Sequence, residues 1–157
     1  MNISLITIGK TDLSYIIEGV EIYFKRINRY TRFNIITIAD IKNSKNLPEE
    51  VQKVREGELI LSNISTSDYL VLLDEAGKQY TSVELALWTQ KKMNAGIKRL
   101  VFVIGGPYGF SQYVYKRADE KISLSKMTFS HQMVRLIFTE QLYRAFSIIN
   151  GEPYHHQ

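Results

Sequence analysis

The sequence predicts an α/β domain with a mostly parallel sheet flanked by helices. Short β-branched or apolar runs alternate along the chain with longer segments that favour helices. Several of these apolar runs are followed by glycine, at the places where the strands of such a sheet would end. Because the 157 residues contain no repeat, low-complexity segment or linker, we expect one domain over residues 1–157.

The individual elements are predicted from local patterns. Strands are expected over residues 3–8, 33–38, 69–73, 100–104 and 122–124, where β-branched or apolar residues run together. Helices are expected after residue 12, over 48–62, 81–96 and 112–118, and from 129 to about 150. Asp12 is predicted to cap the first helix, and Thr81 with Glu84 to form a capping box.

The composition excludes several kinds of site. The chain has no cysteine, which excludes disulfides and thiolate metal sites, and no cluster of other ligands predicts a metal. No stretch is long enough for a membrane span, and the first residues lack the basic region of a signal peptide, so we expect a soluble cytoplasmic protein without membrane contact. The net charge of +4 and the pI near 9.2 are compatible with a nucleic-acid partner.

A glycine-rich turn follows the predicted strand at 100–104. Gly105, Gly106 and Gly109 would let a ligand approach the backbone beyond the carboxyl end of the sheet. A tight turn that needs positive φ explains the same glycines equally well. The spacing is neither that of a dinucleotide-binding fingerprint nor that of a phosphate loop, which disfavours an NAD or ATP site.

Two more segments are expected beside this turn. Leu73 ends a buried run before Asp74, Glu75 and Gly77, which predicts a second strand end with a glycine turn and hence two sides of one crevice. Asp74 and Glu75 are interpreted as solvated loop charges rather than as an acid–base pair, because adjacent loop residues point apart. Residues 123–129 either present backbone groups to a planar heterocycle or simply connect a strand to a helix.

The predicted last helix is apolar on more than one side. We expect one side to pack on the sheet and another to be covered by a second copy of the chain in a symmetric dimer. Glu140 and Arg144 are spaced for a helix ion pair, and Arg144 would be able to hold a phosphate or a base edge if it borders the crevice.

A basic stripe at Lys25, Arg29 and Arg32 is interleaved with aromatic residues. This pattern is compatible with an RNA-facing surface, in which rings stack on bases and cations neutralise phosphates. A solvated helix face accounts for it nearly as well.

Five ordered motifs together resemble one family. They read Leu-Leu-Asp-Glu-x-Gly-Lys, Phe-Val-Ile-Gly-Gly-x-x-Gly, Ser-Leu-Ser-x-Met-Thr-Phe-x-His-Gln, Glu-Gln-Leu-Tyr-Arg-Ala and Pro-Tyr-His. Over essentially the whole chain the sequence resembles the RlmH-type methyltransferases of large-subunit ribosomal RNA, in the SPOUT superfamily. The resemblance implies a C-terminal trefoil knot, a homodimer, and methyl transfer from S-adenosylmethionine to N3 of a pseudouridine in 23S rRNA within the assembled ribosome.

The same resemblance implies a set of site residues. The cofactor-binding residues would be Leu73, Gly105, Leu124, Ser125, Lys126, Met127, Thr128 and Phe129. From side-chain chemistry and position in the tail we hypothesise that Arg144, Tyr154 and His155 organise the base, with His155 as proton acceptor. The role of His156 stays open. A non-catalytic RNA- or ribosome-binding module with this fold is the alternative function.

Overall fold

The fold is an α/β/α sandwich around one parallel sheet, described for residues 1–155 by a computed structural model. The strands are β1 (Asn2–Ile8), β2 (Phe33–Ile38), β3 (Tyr69–Gln79), β4 (Arg99–Ile104) and β5 (Glu120–Ser123). The helices are α1 (Ser14–Ile27), α2 (Glu49–Ser62), α3 (Ser82–Asn94), α4 (Gln112–Arg117) and α5 (Met133–Ile149). The strands pair in the order β2-β1-β4-β3-β5, and every pair is parallel, which confirms the predicted α/β class.

Alternating side chains along the strands build a core on each face of the sheet. Leu5 and Phe102 point into a core shared with α1, α3 and α5, and the ring centroids of Phe102 and Phe138 lie 4.7 Å apart. Ile6 and Val103, the next residues along the same strands, point into a second core with α2 and α4. Both faces are covered, as a parallel sheet requires, so ligand access is left to the strand ends.

Helix α5 lies between α1 and α3 on one face of the sheet. No residue of α5 is fully exposed, and Phe138 and Leu142 are completely enclosed. Two neighbouring helices of the same chain therefore cover much of this apolar pattern, while Met133, Leu136 and Ile137 stay half-buried. The homodimer stays a prediction, and so does the trefoil knot.

Two helix starts differ from the prediction. Helix α1 has no side-chain cap, because Asp12 is held by Gln132 just before α5. The Gln132 side-chain oxygen accepts from the backbone N–H groups of Asp12 and Leu13 at 3.1 and 3.2 Å. Helix α5 begins at Met133 rather than at 129, because this tertiary contact and a turn at Ser130 occupy the preceding residues. In contrast, the capping box of Thr81 and Glu84 is confirmed.

Strand β3 does not end at Leu73 as predicted. Leu73 and Lys78 both pair with Ile122 of β5, so residues 74–77 form a bulge inside the strand. Gly77 makes this possible, because an added Cβ would lie 2.5 Å from the Ile122 carbonyl carbon and 2.7 Å from the Ser123 nitrogen. The predicted glycine turn is thus a bulge pressed against the neighbouring strand.

A partly buried ion pair joins the sheet to α3, on the face that α5 covers. Lys92 forms a salt bridge with Glu120, whose carboxylate also accepts from the Tyr69 hydroxyl at 2.5 Å and the Trp88 indole N–H at 2.8 Å. Burial raises the pKa of Glu120, but the hydrogen bonds from Lys92, Tyr69 and Trp88 outweigh it and hold this pKa below its usual value.

Because its folded pKa is depressed, Glu120 should stabilise the fold above its unfolded pKa, and this contribution should vanish as pH falls through the folded value. We expect Glu120→Gln to lower the free energy of unfolding by about 1–3 kcal/mol at pH 7, and by less at pH 3. Denaturant titrations at both pH values measure this. Glu21→Gln, in the exposed Glu21–Lys25 pair, is the matched control and should change little. A loss of equal size at both pH values would contradict the assignment.

Candidate active site

A cavity of about 540 Å³ opens at the carboxyl ends of β3, β4 and β5. It is lined by the β3 bulge, the glycine turn after β4 and the loop after β5. The lining residues are Leu73–Ala76, Ile104–Phe110, Tyr115, Ser123–Ser125, Met127–Phe129, His131 and Val134. Parallel strands bring their carboxyl ends to one edge, so segments far apart in sequence meet here. Of the eight residues expected to bind a cofactor, seven line this cavity and Lys126 does not.

The glycine turn needs its glycines for two different reasons. Gly109 has φ of +78°, and its N–H donates to the Gly106 carbonyl at 3.1 Å, so a tight turn is part of the explanation. Gly106 is needed for close approach instead, since an added Cβ would lie 2.4 Å from the Glu56 carboxylate. A Cβ at Gly105 would meet the ring of Phe110 at 3.1 Å. The turn is therefore packed from behind while its other side faces the cavity.

Glu56 is a buried residue that the sequence did not single out. It is 3% exposed, one oxygen accepts from Gln52 at 2.8 Å, and the other oxygen has no partner among residues 1–155. Burial raises the pKa of this carboxyl, which favours its neutral form beneath the turn. The only sequence signal was a glutamate followed directly by glycine in the middle of a helix.

The loop after β5 holds its own shape. The Ser123 hydroxyl donates to the Ser125 carbonyl at 2.8 Å, and the Ser125 hydroxyl accepts from the Met127 N–H at 2.9 Å. Met127 lines the cavity but is 76% exposed, so it lies at its open side. Hydroxyl groups here brace the backbone of the loop where it lines the cavity.

Among the residues that the structure describes, the cavity is lined by two carboxylates, Asp74 and Glu75, and by neither lysine nor arginine. Asp74 accepts from the Ala76 N–H at 2.8 Å and from the Tyr115 hydroxyl at 2.6 Å, while Glu75 is exposed at the rim. Asp74 is thus committed to the bulge and does not pair with Glu75 as acid and base.

Arg144, Tyr154 and His155 form a cluster, but it lies away from this cavity. The Arg144 guanidinium lies 4.7 Å from the Tyr154 ring centroid and 3.4 Å from Nδ1 of His155, and it forms an ion pair with Glu140. Arg144 follows the cavity-lining Val134 by ten residues of continuous helix, about 15 Å along its axis. Within one chain, therefore, the three residues do not reach the cavity.

The tail is held in place by α1 and α5. The Tyr154 hydroxyl donates to Glu140 at 3.1 Å and lies 3.2 Å from the Tyr23 hydroxyl, and Tyr30 donates to Glu152. Burial, followed by the Tyr23 contact and the Glu140 charge, raises the pKa of Tyr154 well above its usual value. Tyr154 is therefore a hydrogen-bond donor rather than a base. His156 lies outside the described residues.

The basic stripe is only partly available as a surface. Tyr30, one of its interleaved rings, stacks on Phe146 with centroids 5.8 Å apart, and Lys25 pairs with Glu21. Arg29 and Arg32 are exposed beyond the end of α1. RNA contact by this stripe stays a prediction.

A buried arginine connects α5 to the strand ends. Arg135 is 3% exposed and donates to the Ile8 carbonyl at 2.6 Å and the Thr11 hydroxyl at 2.7 Å. It fixes the start of α5 beside β1, one turn from the cavity-lining His131. The only signal of this residue in the sequence is an arginine within an otherwise apolar stretch. Its role becomes clear from its hydrogen bonds to the Ile8 carbonyl and the Thr11 hydroxyl.

Two classes of feature are missing from the described residues. Residues 1–155 contain no group of three or more histidine, aspartate or glutamate side chains arranged to hold a metal ion. Across that same part of the chain, no helix is both long and apolar enough to cross a membrane.

Comparison with known proteins agrees with the resemblance seen in the motifs. The family described as predicted SPOUT methyltransferase matches residues 1–155. Proteins named ribosomal RNA large subunit methyltransferase H are 62% identical in Flavobacterium psychrophilum and 60% identical in Christiangramia forsetii and Parabacteroides distasonis, each over 157 residues and the full length of both chains. The family model and these relatives cover nearly the whole chain, including the segments that line the cavity at the strand ends. This chain therefore belongs to the SPOUT methyltransferase family and is an enzyme that uses a methyl donor.

Proposed function

We propose that the chain transfers a methyl group from S-adenosylmethionine to N3 of a pseudouridine in 23S rRNA of the assembled ribosome. The observation that carries the proposal is the cavity, which gathers three of the ordered motifs at one edge of the sheet. The names of relatives with 60–62% identity support ribosomal RNA of the large subunit as the substrate class.

The cavity has the properties that this cofactor requires. Its volume of about 540 Å³ lies in the range of roughly 300–1,000 Å³ found for small-molecule sites. Loop 124–129 offers main-chain groups to an adenine edge, and the glycine turn permits close approach. Carboxylates without lysine or arginine suit a ligand with a cationic sulfur and disfavour the polyphosphates of ATP and NAD. When bound, S-adenosylmethionine supplies an activated methyl group on its sulfonium.

The substrate side of the site is proposed to come from a second copy of the chain. In one chain, Arg144 lies about 15 Å along α5 from the cavity-lining Val134, and Tyr154 and His155 contact Arg144. A symmetric dimer would present the tail of each copy to the cavity of the other, and every chain would then contribute to two sites. The predicted homodimer would thus be required for catalysis.

Within this site the three tail residues have distinct roles. Tyr154, kept protonated by its surroundings, turns its hydroxyl from Glu140 to donate a hydrogen bond to the base. The Arg144 guanidinium holds the edge of the base or a neighbouring phosphate. Arg144 and His155 are in contact, with 3.4 Å between the guanidinium and Nδ1 of the imidazole. Because a guanidinium can only donate hydrogen bonds, Nδ1 of His155 is the acceptor in this contact. His155 Nδ1 then accepts the N3 proton once the base displaces Arg144 from it.

The proposal is tested with ribosomes from a strain that lacks the gene. Calorimetry should detect S-adenosylmethionine binding to the purified protein, and the protein should methylate these ribosomes at one 23S position, located by reverse transcription. Ribosomes from the parent strain, already modified, are the matched control and should accept no further methyl groups.

The outcomes separate this function from its alternative. Ribosome binding without any cofactor binding, even at millimolar S-adenosylmethionine, would indicate a non-catalytic module and contradict the proposal. Methylation of a different base or of free small RNAs would retain the methyltransferase but overturn the proposed substrate.

A further inference from the structure

Tyr115 stands out among the cavity residues because it belongs to none of the motifs at the strand ends. It lies on α4, lines the cavity, and packs edge-on against Phe110 with ring centroids 5.8 Å apart. Its hydroxyl donates to Asp74 at 2.6 Å, across 41 positions of sequence. A short hydrogen bond from a fixed ring to a carboxylate is among the stronger contacts available to a protein side chain.

The Asp74 carboxylate organises the bulge of β3. One oxygen accepts from the Ala76 N–H at 2.8 Å, which closes a local turn, and the other accepts from Tyr115. The bulge itself has no ladder partner on β5, because Leu73 and Lys78 pair with the same residue. The shape of the bulge therefore depends on the turn at Asp74 and on the hydrogen bond that Asp74 accepts from Tyr115.

We propose that Tyr115 is a positioning residue of the cofactor cavity, which acts through Asp74 to hold the bulge at residues 74–77 in its binding conformation. The inference rests on the proposed function, since it takes the cavity to be the S-adenosylmethionine site. The carboxyl end of β3 supplies Leu73 and residues 74–76 to the cavity wall, so a shift of the bulge changes one side of the site. The opposite wall, in loop 124–129, is braced by its own serines and does not depend on Tyr115.

The donor should persist across the working pH range. Burial, and then the hydrogen bond to Asp74 with its charge, raises the pKa of Tyr115 to about 12. The hydroxyl consequently keeps its proton, and stays a donor, at neutral and mildly alkaline pH.

The test compares Tyr115→Phe with Tyr113→Phe on the same helix. Tyr113 is 67% exposed and does not line the cavity, so its hydroxyl is the matched control. Tyr115→Phe should raise the Kd for S-adenosylmethionine in calorimetry about ten-fold, and raise the KM for cofactor similarly, with little change in kcat, in the KM for ribosomes or in the unfolding midpoint. Tyr113→Phe should match the wild type in all of these.

Asp74→Asn and the double variant complete a thermodynamic cycle. Because Tyr115 acts through Asp74, the two single changes should not add, and the double variant should bind cofactor about as weakly as Asp74→Asn alone. Additive effects, or an unchanged Kd in Tyr115→Phe, would overturn the inference, and so would a fall in kcat with an unchanged KM for cofactor. If Tyr115→Phe does not fold, Asp74→Asn is tested alone. An unchanged Kd for S-adenosylmethionine in Asp74→Asn would then overturn the inference. Failure of the wild type to bind S-adenosylmethionine would overturn the proposed function instead.

Discussion

Replacing Gly77 with alanine is expected to abolish cofactor binding and to destabilise the fold by about 3 kcal/mol or more. The added Cβ would lie 2.5 and 2.6 Å from the carbonyl carbon and nitrogen of Ile122, and 2.7 Å from the Ser123 nitrogen. These are backbone atoms of β5, so no side-chain rotation relieves the overlap. The strand must move away, and the cavity wall between the β3 bulge and the loop after β5 moves with it.

Denaturant unfolding and calorimetry with S-adenosylmethionine measure the two effects of Gly77→Ala. Gly96→Ala is the matched control, because Gly96 has φ of +75° with nothing near its Cβ and lies outside the cavity lining. It should cost about 1–2 kcal/mol of backbone strain and leave cofactor binding unchanged. A Gly77→Ala protein with wild-type stability and affinity would mean that β3 and β5 are not in such close contact.

Replacing His155 with alanine is expected to lower single-turnover methylation at least about 100-fold while cofactor affinity stays unchanged. The loss follows from removing the proposed proton acceptor. The unchanged affinity is expected because His155 contacts the base rather than the cofactor in the proposed site and is not among the residues that line the cavity. Lys25→Ala, in an exposed ion pair on α1, is a control that should keep full cofactor affinity. Full methylation by His155→Ala at every pH would contradict the assignment.

Subunit mixing decides which cavity the tail serves. Gly105→Trp should displace the glycine turn that lines the cavity and so prevent cofactor binding, because its Cβ meets the Phe110 ring at 3.1 Å. Once circular dichroism shows that this variant folds, it is mixed with His155→Ala and allowed to exchange subunits. Each variant alone should be inactive. If the tail of one copy serves the other copy's cavity, mixed dimers regain one intact site and random pairing restores about a quarter of wild-type activity. If each tail serves its own cavity, no activity returns. Sedimentation of a fully active monomer would contradict the arrangement in which the tail of one copy serves the other copy's cavity.

Local sequence signals predicted the elements and half of the site. The capping box at Thr81 and Glu84 depends on residues three apart, and the capped helix forms as expected. The glycines after β4 were found because they follow a buried run directly, and the cavity opens there. The β3 bulge could not be found in this way, since it depends on the register between strands about 45 residues apart in sequence.

A parallel α/β fold, a site at the strand ends and resemblance to a methyltransferase family were all predictable from the order of the residues. These follow from periodicity and ordered motifs, which are properties of neighbouring residues. In contrast, three contacts became visible in the folded chain alone: Gly106 packs on buried Glu56, Tyr115 holds Asp74, and the cluster of Arg144, Tyr154 and His155 lies away from the cavity of its own chain. The physical reason is that such contacts join residues whose distance is set by packing and strand register, neither of which is written in local sequence.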